Sequence, residues 1–446
     1  MAEGCRWLAP ETLDTPRGPL TFPNPSGRAI QHLLEEGATE ERLAAAAAEE
    51  GGYPAVRRLY LLLFTLHERL LLCRTVALRP AGLLSSVPLS PSCRFSAGRV
   101  DAEARHALSR FALLRPLAGR LVLESPLALA RVTLGGPEAV LLVSELVCPR
   151  YASELSAALG LSADAILSAL DLLAHASLLA DADESSPALA AWEFHDALFH
   201  TRSRLGRYDS GFGGTFPGRG RFAPLPALRP AGDGETINLL RPDLACLAAG
   251  DPSFTRVLEE RRSRRAFGEL PISCEQLGEL LYRVARVTGT SDTGECGVAR
   301  RVYPAGGAIY ELEVYLAVGA CRGLDPGLYH YRPLAHELER VSGSLTELAV
   351  LLEGACDACQ ATGPVQVLVL LAARFPRIFY KYESTAYATI LKDTGVFMQT
   401  LYLVTTAMGL AACALGGGDS DQFARAAGTD PWTEATVGEM VIGSLG

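Results

Sequence analysis

The run VQVLVLLAARF, Val365 to Phe375, constrains this chain more than any other stretch. Its apolar residues follow one another without polar alternation, so it reads as a fully buried strand. Neighbouring segments supply the rest of a sheet. In LEVYLAV, residues Leu312, Val314, Leu316 and Val318 alternate as one buried face, and the turn GLDPG leads on to the strand GLYHYRP. Helical patterns run through SFTRVLEERRSRRAF, through SCEQLGELLYRVARV and from Gly395 to Gly409, and MVIG reads as a final strand. From Arg241 onward the chain is therefore expected to be an α+β domain.

Upstream, helix-period runs from Arg28 to about Leu78 end in the alternating LLCRTVAL, and a clearer copy of this pattern follows. There, the strand-like RLVLES and ARVTL precede three helices beginning near Pro137, Ala152 and Ser162. In YASELSAALGLSADAILSALDLLAHASLL, Gly160 ends one helix and Ser162 caps the next, leaving the short turn of a helix-turn-helix. Ser203 to Glu235 is dense in Gly, Pro and Arg with little periodicity, which marks a connector. The expected organisation is a winged-helix-like unit over 1–98, a second over 99–186, a helix and connector over 187–240, and the α+β domain over 241–446. A chain of 446 residues exceeds what one hydrophobic core organises, in keeping with several domains.

Charge argues against a nucleic-acid partner. The formal net charge is −9, and between Glu138 and Glu184 eight acids face one base, Arg150. A recognition helix without Arg or Lys cannot grip a phosphate-lined groove. Such a unit can instead accept an extended peptide along a strand edge, the alternative being simple structural packing. The apolar LYLLLFTLHERLLLC is interrupted by His67, Glu68 and Arg69 short of a membrane span. No secretory signal opens the chain, and eleven cysteines without framework spacing fit reduced thiols, so a cytoplasmic protein off the membrane is expected. Cys356 and Cys359 form a CxxC lacking the second pair of a zinc ribbon; they are read as ordinary thiols, and no metal site is expected.

Of 41 Lys and Arg residues only Lys381 and Lys392 are lysine. Arg stays charged at any reachable pH whereas Lys can be tuned until it exchanges protons, so Lys381, directly before Tyr382, points to chemistry unless codon usage alone explains it. RRSRRAF, Arg261 to Phe267, crowds guanidiniums that match phosphate oxygens bidentately, or else form a solvated basic face. YPAGGAIYELE places Gly306 and Gly307 where backbone can approach a ligand, and GLAACALGGGD ends in three consecutive glycines. Each alone is more often a turn. Together in one domain they fit a phosphate-bearing planar cofactor, without the strand–GxGxxG–helix context of a Rossmann site.

In this order, RRSRRAF, PAGGAIYELEVYLAV, GLYHYRP, the Lys-Tyr pair and GLAACALGGGD resemble the SagB-type dehydrogenases, nitroreductase-like FMN enzymes that oxidise azoline rings in ribosomal peptide natural products. The likeness spans about Asp251 to Gly443, and upstream WEFHDALFH resembles the family's longer members, in which winged-helix units clamp the precursor peptide. The resemblance implies a homodimer with FMN in the subunit interface. It matches Arg261, Ser263 and Arg265, and less directly Arg262, to phosphate and ribityl contacts. Pro304, Ala305, Gly306 and Gly307 match the loop lining the flavin ring; Ala414, Leu415, Gly416 and Gly417 match a loop offering N–H groups near its N5 edge; Gln399 matches a polar position beside it. Lys381 and Tyr382 fall on the catalytic pair, Lys381 as base and Tyr382 relaying the proton or positioning the ring. Adjacent residues diverge on a helix and oppose each other on a strand, so both serve one substrate only from irregular backbone or a helix end.

The implied activity is oxidation of thiazoline or oxazoline to azole in a precursor peptide, with a cyclodehydratase as partner. An NAD(P)H-dependent nitro or quinone reductase and a flavin-free peptide-recruiting scaffold are the alternatives. The chain departs from the family pattern with Ala305 for Ser, Glu311 for Pro, and Thr385 and Thr400 where Arg and Asn are common. One lost hydroxyl contact costs about 1 kcal/mol of cofactor binding.

Overall fold

The computed structural model describes the chain except residues 3, 10, 16–17, 23–26, 77–83, 94–99, 181, 208–210, 292–293 and 342–343. It forms two units, Met1–Ser210 and Gly211–Gly446.

The second unit is built on a seven-stranded antiparallel sheet in the order Thr236–Asn238, Glu337–Arg340, Gly327–Arg332, Leu312–Val318, Val367–Arg374, Glu434–Ser444, Leu410–Ala414. Every residue of Val367–Arg374 is buried, as its unbroken apolar run predicts. Leu312, Val314, Leu316 and Val318 pack against one layer, the helices Cys274–Ala285 and Ala386–Ala407. The intervening Glu313, Tyr315 and Ala317 are buried as well, with Tyr315 and Ala317 joining Leu345–Cys359 and Ser420–Ala427 on the opposite face. Period-two alternation thus sorts residues between two covered faces.

Three details differ from the sequence reading. The helix through SFTRVLEERRSRRAF stops at Glu260, because residues 261–267 pair instead with the sheet's surroundings: Arg264 N donates to Ala412 O at 2.8 Å, and Ala266 and Phe267 bridge to Thr362 and Leu445. Leu410–Ala414, read as part of a glycine loop, is a strand. The apolar helix begins at Ala386, nine residues before Gly395.

The connector also divides differently. Residues 211–240 belong with the second unit, held by the Thr236–Asn238 strand and by backbone hydrogen bonds farther upstream.

In the first unit the helices Arg28–Glu36 and Glu40–Glu68 enclose a core of Leu34, Leu43, Leu59 and Leu66 together with Leu13 of a three-stranded sheet. Glu40–Glu68 kinks at Gly51 and Gly52. A five-stranded sheet runs Arg74–Val76, Leu84–Pro88, Ala130–Leu134, Arg120–Glu124, Leu113–Leu117, so the expected boundary at 98/99 falls inside one sheet. The helices Pro137–Glu145, Ala152–Leu159 and Ala163–His175 cover it, and Gly160, left-handed at φ 61°, and Ser162, which accepts from Ala165 N, make the predicted turn between the last two. Those two helices meet at 117°. Among the described residues no single helix is long and apolar enough to cross a membrane; this bent pair passes by length and composition only.

Candidate active site

Lys381 and Tyr382 lie in the turn between the short helix Phe375–Phe379 and Ala386–Ala407, the irregular backbone that two adjacent functional side chains require. Both reach one glycine. Lys381 Nζ donates to Gly307 O at 3.2 Å and stands 5.4 Å from the centroid of the Tyr382 ring. Gly307 has φ +60°, and a Cβ there would lie 2.1 Å from the Tyr382 hydroxyl and 2.8 Å from Lys381 Nζ. Only glycine offers this conformation and clearance together.

The next turns of the helix hold the preceding glycine. Gly306 N donates to both carboxylate oxygens of Asp393, at 3.1 and 2.9 Å, and a Cβ on Gly306 would meet Thr389 Cγ2 at 2.2 Å. Asp393 faces buried Glu311. Burial first, then the Asp393 charge, push Glu311 up to about 8, and burial also raises Asp393. At neutral pH the pair is thus biased to keep a proton beside the loop. Ala308 and Tyr310 both have positive φ, 56° and 50°, so the loop stores backbone strain at non-glycine positions.

The Arg cluster lies at the other end of the same helix, and Tyr402 organises it. Its hydroxyl accepts from Ala414 N at 2.7 Å and lies 2.8 Å from Ser263 Oγ, while the Arg261 guanidinium sits 5.3 Å from its ring centroid. Arg261 and Ser263 meet one partner as residues i and i+2 of an extended segment do. Thr389 and Tyr402 are thirteen positions apart, about 20 Å along the axis at 1.5 Å per residue. The predicted residues therefore form two clusters, one with Gly306, Gly307, Lys381 and Tyr382, the other with Arg261, Ser263 and Ala414. Arg262, Arg265, Gln399 and Pro304 are exposed and Ala305 half-buried.

One expectation is corrected. Ala414 N is committed to Tyr402 and Leu415 N donates to Glu439 O at 2.9 Å, so only Gly416 and Gly417 of that loop keep free N–H groups among the described residues. Space beside both is open, with nothing within 4 Å of a Cβ at either. The Thr400 hydroxyl turns back to Val396 O at 2.9 Å and so does not replace an outward-facing Asn.

Three things escaped sequence reading. Asp393 and Tyr402 sit in a helix whose apolar content hid them; a carboxylate on its buried side was the available signal. The connector was the third. Phe216 N donates to Lys381 O at 3.1 Å and Gly218 N to Tyr380 O at 3.2 Å, while Glu295 joins Arg219 to the Tyr380 hydroxyl. Buried Arg377 donates to Leu225 O, Cys296 O, Gly297 O and Ile309 O, tying the strap to the loop that carries Gly307. Glycine and proline there serve close backbone approach: a Cβ on Gly218 would strike Tyr380 Cδ2 at 2.5 Å.

The donor set suits FMN. Among the described residues none of Arg261, Arg262, Arg264 and Arg265 is ion-paired. Unpaired guanidiniums beside a hydroxyl match a phosphate, and open glycine backbone matches a flat ring's polar edge.

Residues 258–444 match the nitroreductase family model, and residues 106–209 match the model for the cyanobactin oxidase ThcOx. Curated relatives include the nitroreductase-like protein MJ1384 of Methanocaldococcus jannaschii, 26% identical over 41% of this chain and 85% of that protein. The microcin B17-processing protein McbC of Escherichia coli is 27% identical over 34% of this chain, and the trifolitoxin-processing protein TfxB of Rhizobium leguminosarum 28% over 25%. The chain spans 55% of McbC and 31% of TfxB. Among solved structures, the E. coli microcin synthetase McbBCD complex aligns at 22% identity and TM-score 0.36, covering 56% of this chain and 91% of that one. With a ThcOx-like segment leading into a nitroreductase family domain, and McbC and TfxB among its relatives, the chain is similar to the SagB-type dehydrogenases.

Proposed function

We propose that this chain is an FMN-dependent oxidoreductase that converts azolines to azoles in a peptide precursor. The contact of Lys381 and Tyr382 with Gly307 carries the reading, because it sets an amine and a phenol on the loop matched to the flavin ring. Bound FMN supplies a two-electron acceptor for the hydride lost from the azoline. Lys381 takes the accompanying ring proton at Nζ, and Tyr382 orients the ring or passes that proton on. Arg261, Ser263 and Arg265, with Arg262, would hold the FMN phosphate, and the free N–H groups of Gly416 and Gly417 would serve the flavin's polar edge. Pro304, Ala305 and Gln399 would complete its surroundings.

A homodimer brings the two clusters of separate protomers to a shared interface. Supporting it, Tyr387 and Leu391, one turn apart on Ala386–Ala407, are 42% and 40% exposed, and Phe254 and Leu258 on Phe254–Glu260 are 67% and 44% exposed. Apolar stripes of this kind are ordinarily covered. In the first unit we read the sheets and helices as winged-helix-like peptide clamps. Among the described residues the strand Leu113–Leu117 pairs only with Arg120–Glu124, and we read its other edge as open to an extended peptide. A cyclodehydratase that makes the azoline is the expected partner.

Incubating the protein with an azoline-bearing peptide should remove two hydrogens per ring by mass, and Lys381→Ala should abolish this while retaining FMN. An unchanged peptide with the FMN-loaded wild type sinks the reading. The nitroreductase domain also favours a second one, reduction of quinones or nitro compounds. Rapid flavin bleaching by NAD(P)H marks that case, and colourless protein that cannot be loaded marks a recruiting scaffold.

A further inference from the structure

The strap from Gly211 to Phe222 lies outside both matched family models, which cover residues 106–209 and 258–444, yet it crosses the turn that carries Lys381. Phe216 N donates to Lys381 O at 3.1 Å and Gly218 N to Tyr380 O at 3.2 Å. The Phe216 ring meets the Tyr380 ring edge-on at 6.3 Å. On its other side the Arg219 guanidinium lies 4.4 Å from the Phe216 centroid and pairs with Glu295.

Two positions ask for more than a linker would. Phe216 sits at φ 54°, a left-handed conformation that costs energy in any residue with a side chain, and it is the residue whose N–H reaches Lys381. Gly214 poses the opposite case. Its φ lies outside the left-handed region, so the backbone does not call for glycine there; the space does. A Cβ at Gly214 would lie 3.3 Å from Lys381 Cε and 3.5 Å from Lys381 Cγ. The lysine stem therefore runs close along bare backbone.

Lys381 is thus held three times over. Its carbonyl takes the Phe216 N–H, its stem lies against Gly214, and Nζ donates to Gly307 O at 3.2 Å. A half-buried lysine on a flexible four-carbon stem otherwise spreads over many rotamers. A base spread in that way is seldom in line with the proton it must take.

We propose that the strap is a positioning element for the reaction: Gly214 acts through Lys381, its missing side chain making the wall that keeps Nζ on the Gly307 loop. The inference rests on the reading of Lys381 as the base and assigns to the strap the task of holding it.

Gly214→Val tests this, because the position is exposed and its φ suits a side chain, while the added methyls take the space of the lysine stem. The chain has only two lysines, Lys381 and Lys392, so protein labelled with ε-carbon-13 lysine gives two sets of signals, assigned with Lys381→Arg. In the wild type, a held stem should give Lys381 two distinct ε-proton shifts, whereas exposed Lys392 gives one averaged shift. Gly214→Val should merge the Lys381 pair and leave Lys392 where it was. With FMN-loaded protein, the single-turnover rate on an azoline peptide should fall by about 10- to 100-fold at an unchanged half-saturating peptide concentration. A strap that only props up the fold would lower the melting temperature and leave the pair distinct. Should Gly214→Val not fold, Gly214→Ala carries the same test, with a shifted pair and a rate about threefold lower. An averaged Lys381 signal in the wild type, an unaltered pair in the folded variant, or an unaltered rate in an active enzyme would each overturn the proposal. A wild type that leaves the peptide unchanged removes the oxidase reading alone, and the lysine signals then decide whether Gly214 holds the stem.

Discussion

The two glycine loops of the second unit are built on opposite plans. A Cβ on Gly306 would collide with Thr389 and one on Gly307 with Tyr382 and Lys381, Asp393 holds Gly306 N, and their neighbours Ala308 and Tyr310 sit at positive φ. Gly416 and Gly417 have nothing near them. In the first loop a side chain would collide with protein that already fills the space, and in the second the space is open, as the proposed flavin contact requires. Similar sequence runs thus meet different demands: one packs against Lys381 and Tyr382, the other leaves backbone exposed.

The largest expected effect comes from filling the crowded loop. Gly307→Ala adds a methyl where the ends of Tyr382 and Lys381 now rest and strains the backbone at φ +60°. Both side chains can swing away, so the fold should survive while azoline oxidation falls by about 100-fold, the scale of a misplaced catalytic group. Single-turnover assays on FMN-loaded protein read this directly; activity near wild type would show that the crowding is incidental.

The carboxyl pair behind Gly306 predicts a pH effect on stability. A folded value of about 8 for Glu311 lies above its ordinary carboxylate value of 4.5. The folded state therefore holds a proton that the unfolded state releases, and stability falls as pH rises from about 4.5 to 8. The slope is at most about 1.4 kcal/mol per pH unit. Glu311→Gln should flatten it, as denaturant titrations at pH 5 and pH 8 can measure. Parallel curves for the two proteins would refute the account of a proton held on Glu311.

Tyr402→Phe tests the opposite cluster. Removing the hydroxyl frees Ser263 and leaves Ala414 N without its acceptor, which should cost about 1–2 kcal/mol and raise the FMN Kd roughly tenfold. Gly416→Ala should do least to the fold, within about 0.5 kcal/mol by thermal unfolding. It should nevertheless weaken FMN severalfold, and unchanged affinity would mean that this loop does not face the ligand.

How far the sequence could be read depended on whether a segment's role was local. Leu312 to Val318 and Gly160 with Ser162 declared themselves through period and capping, which act within a few residues. The Lys381–Tyr382 turn was legible because adjacent side chains that reach one glycine exclude regular backbone. RRSRRAF misled because pairing with Ala412, Thr362 and Leu445, all distant in sequence, overrode helix propensity. The strap from Gly211 looked like a linker because glycine and proline signal flexible chain and close approach alike. Asp393 and Tyr402 were invisible for a related reason: their partners lie 87 and 139 residues away.

The central claim is that a proton-accepting amine stands on the flavin loop. Lys381→Arg tests it most directly, because a guanidinium keeps the charge and much of the reach yet does not give up its proton in reachable pH. The account predicts a yellow, FMN-loaded variant that leaves the mass of an azoline peptide unchanged. Oxidation by that variant at the wild-type rate would contradict it.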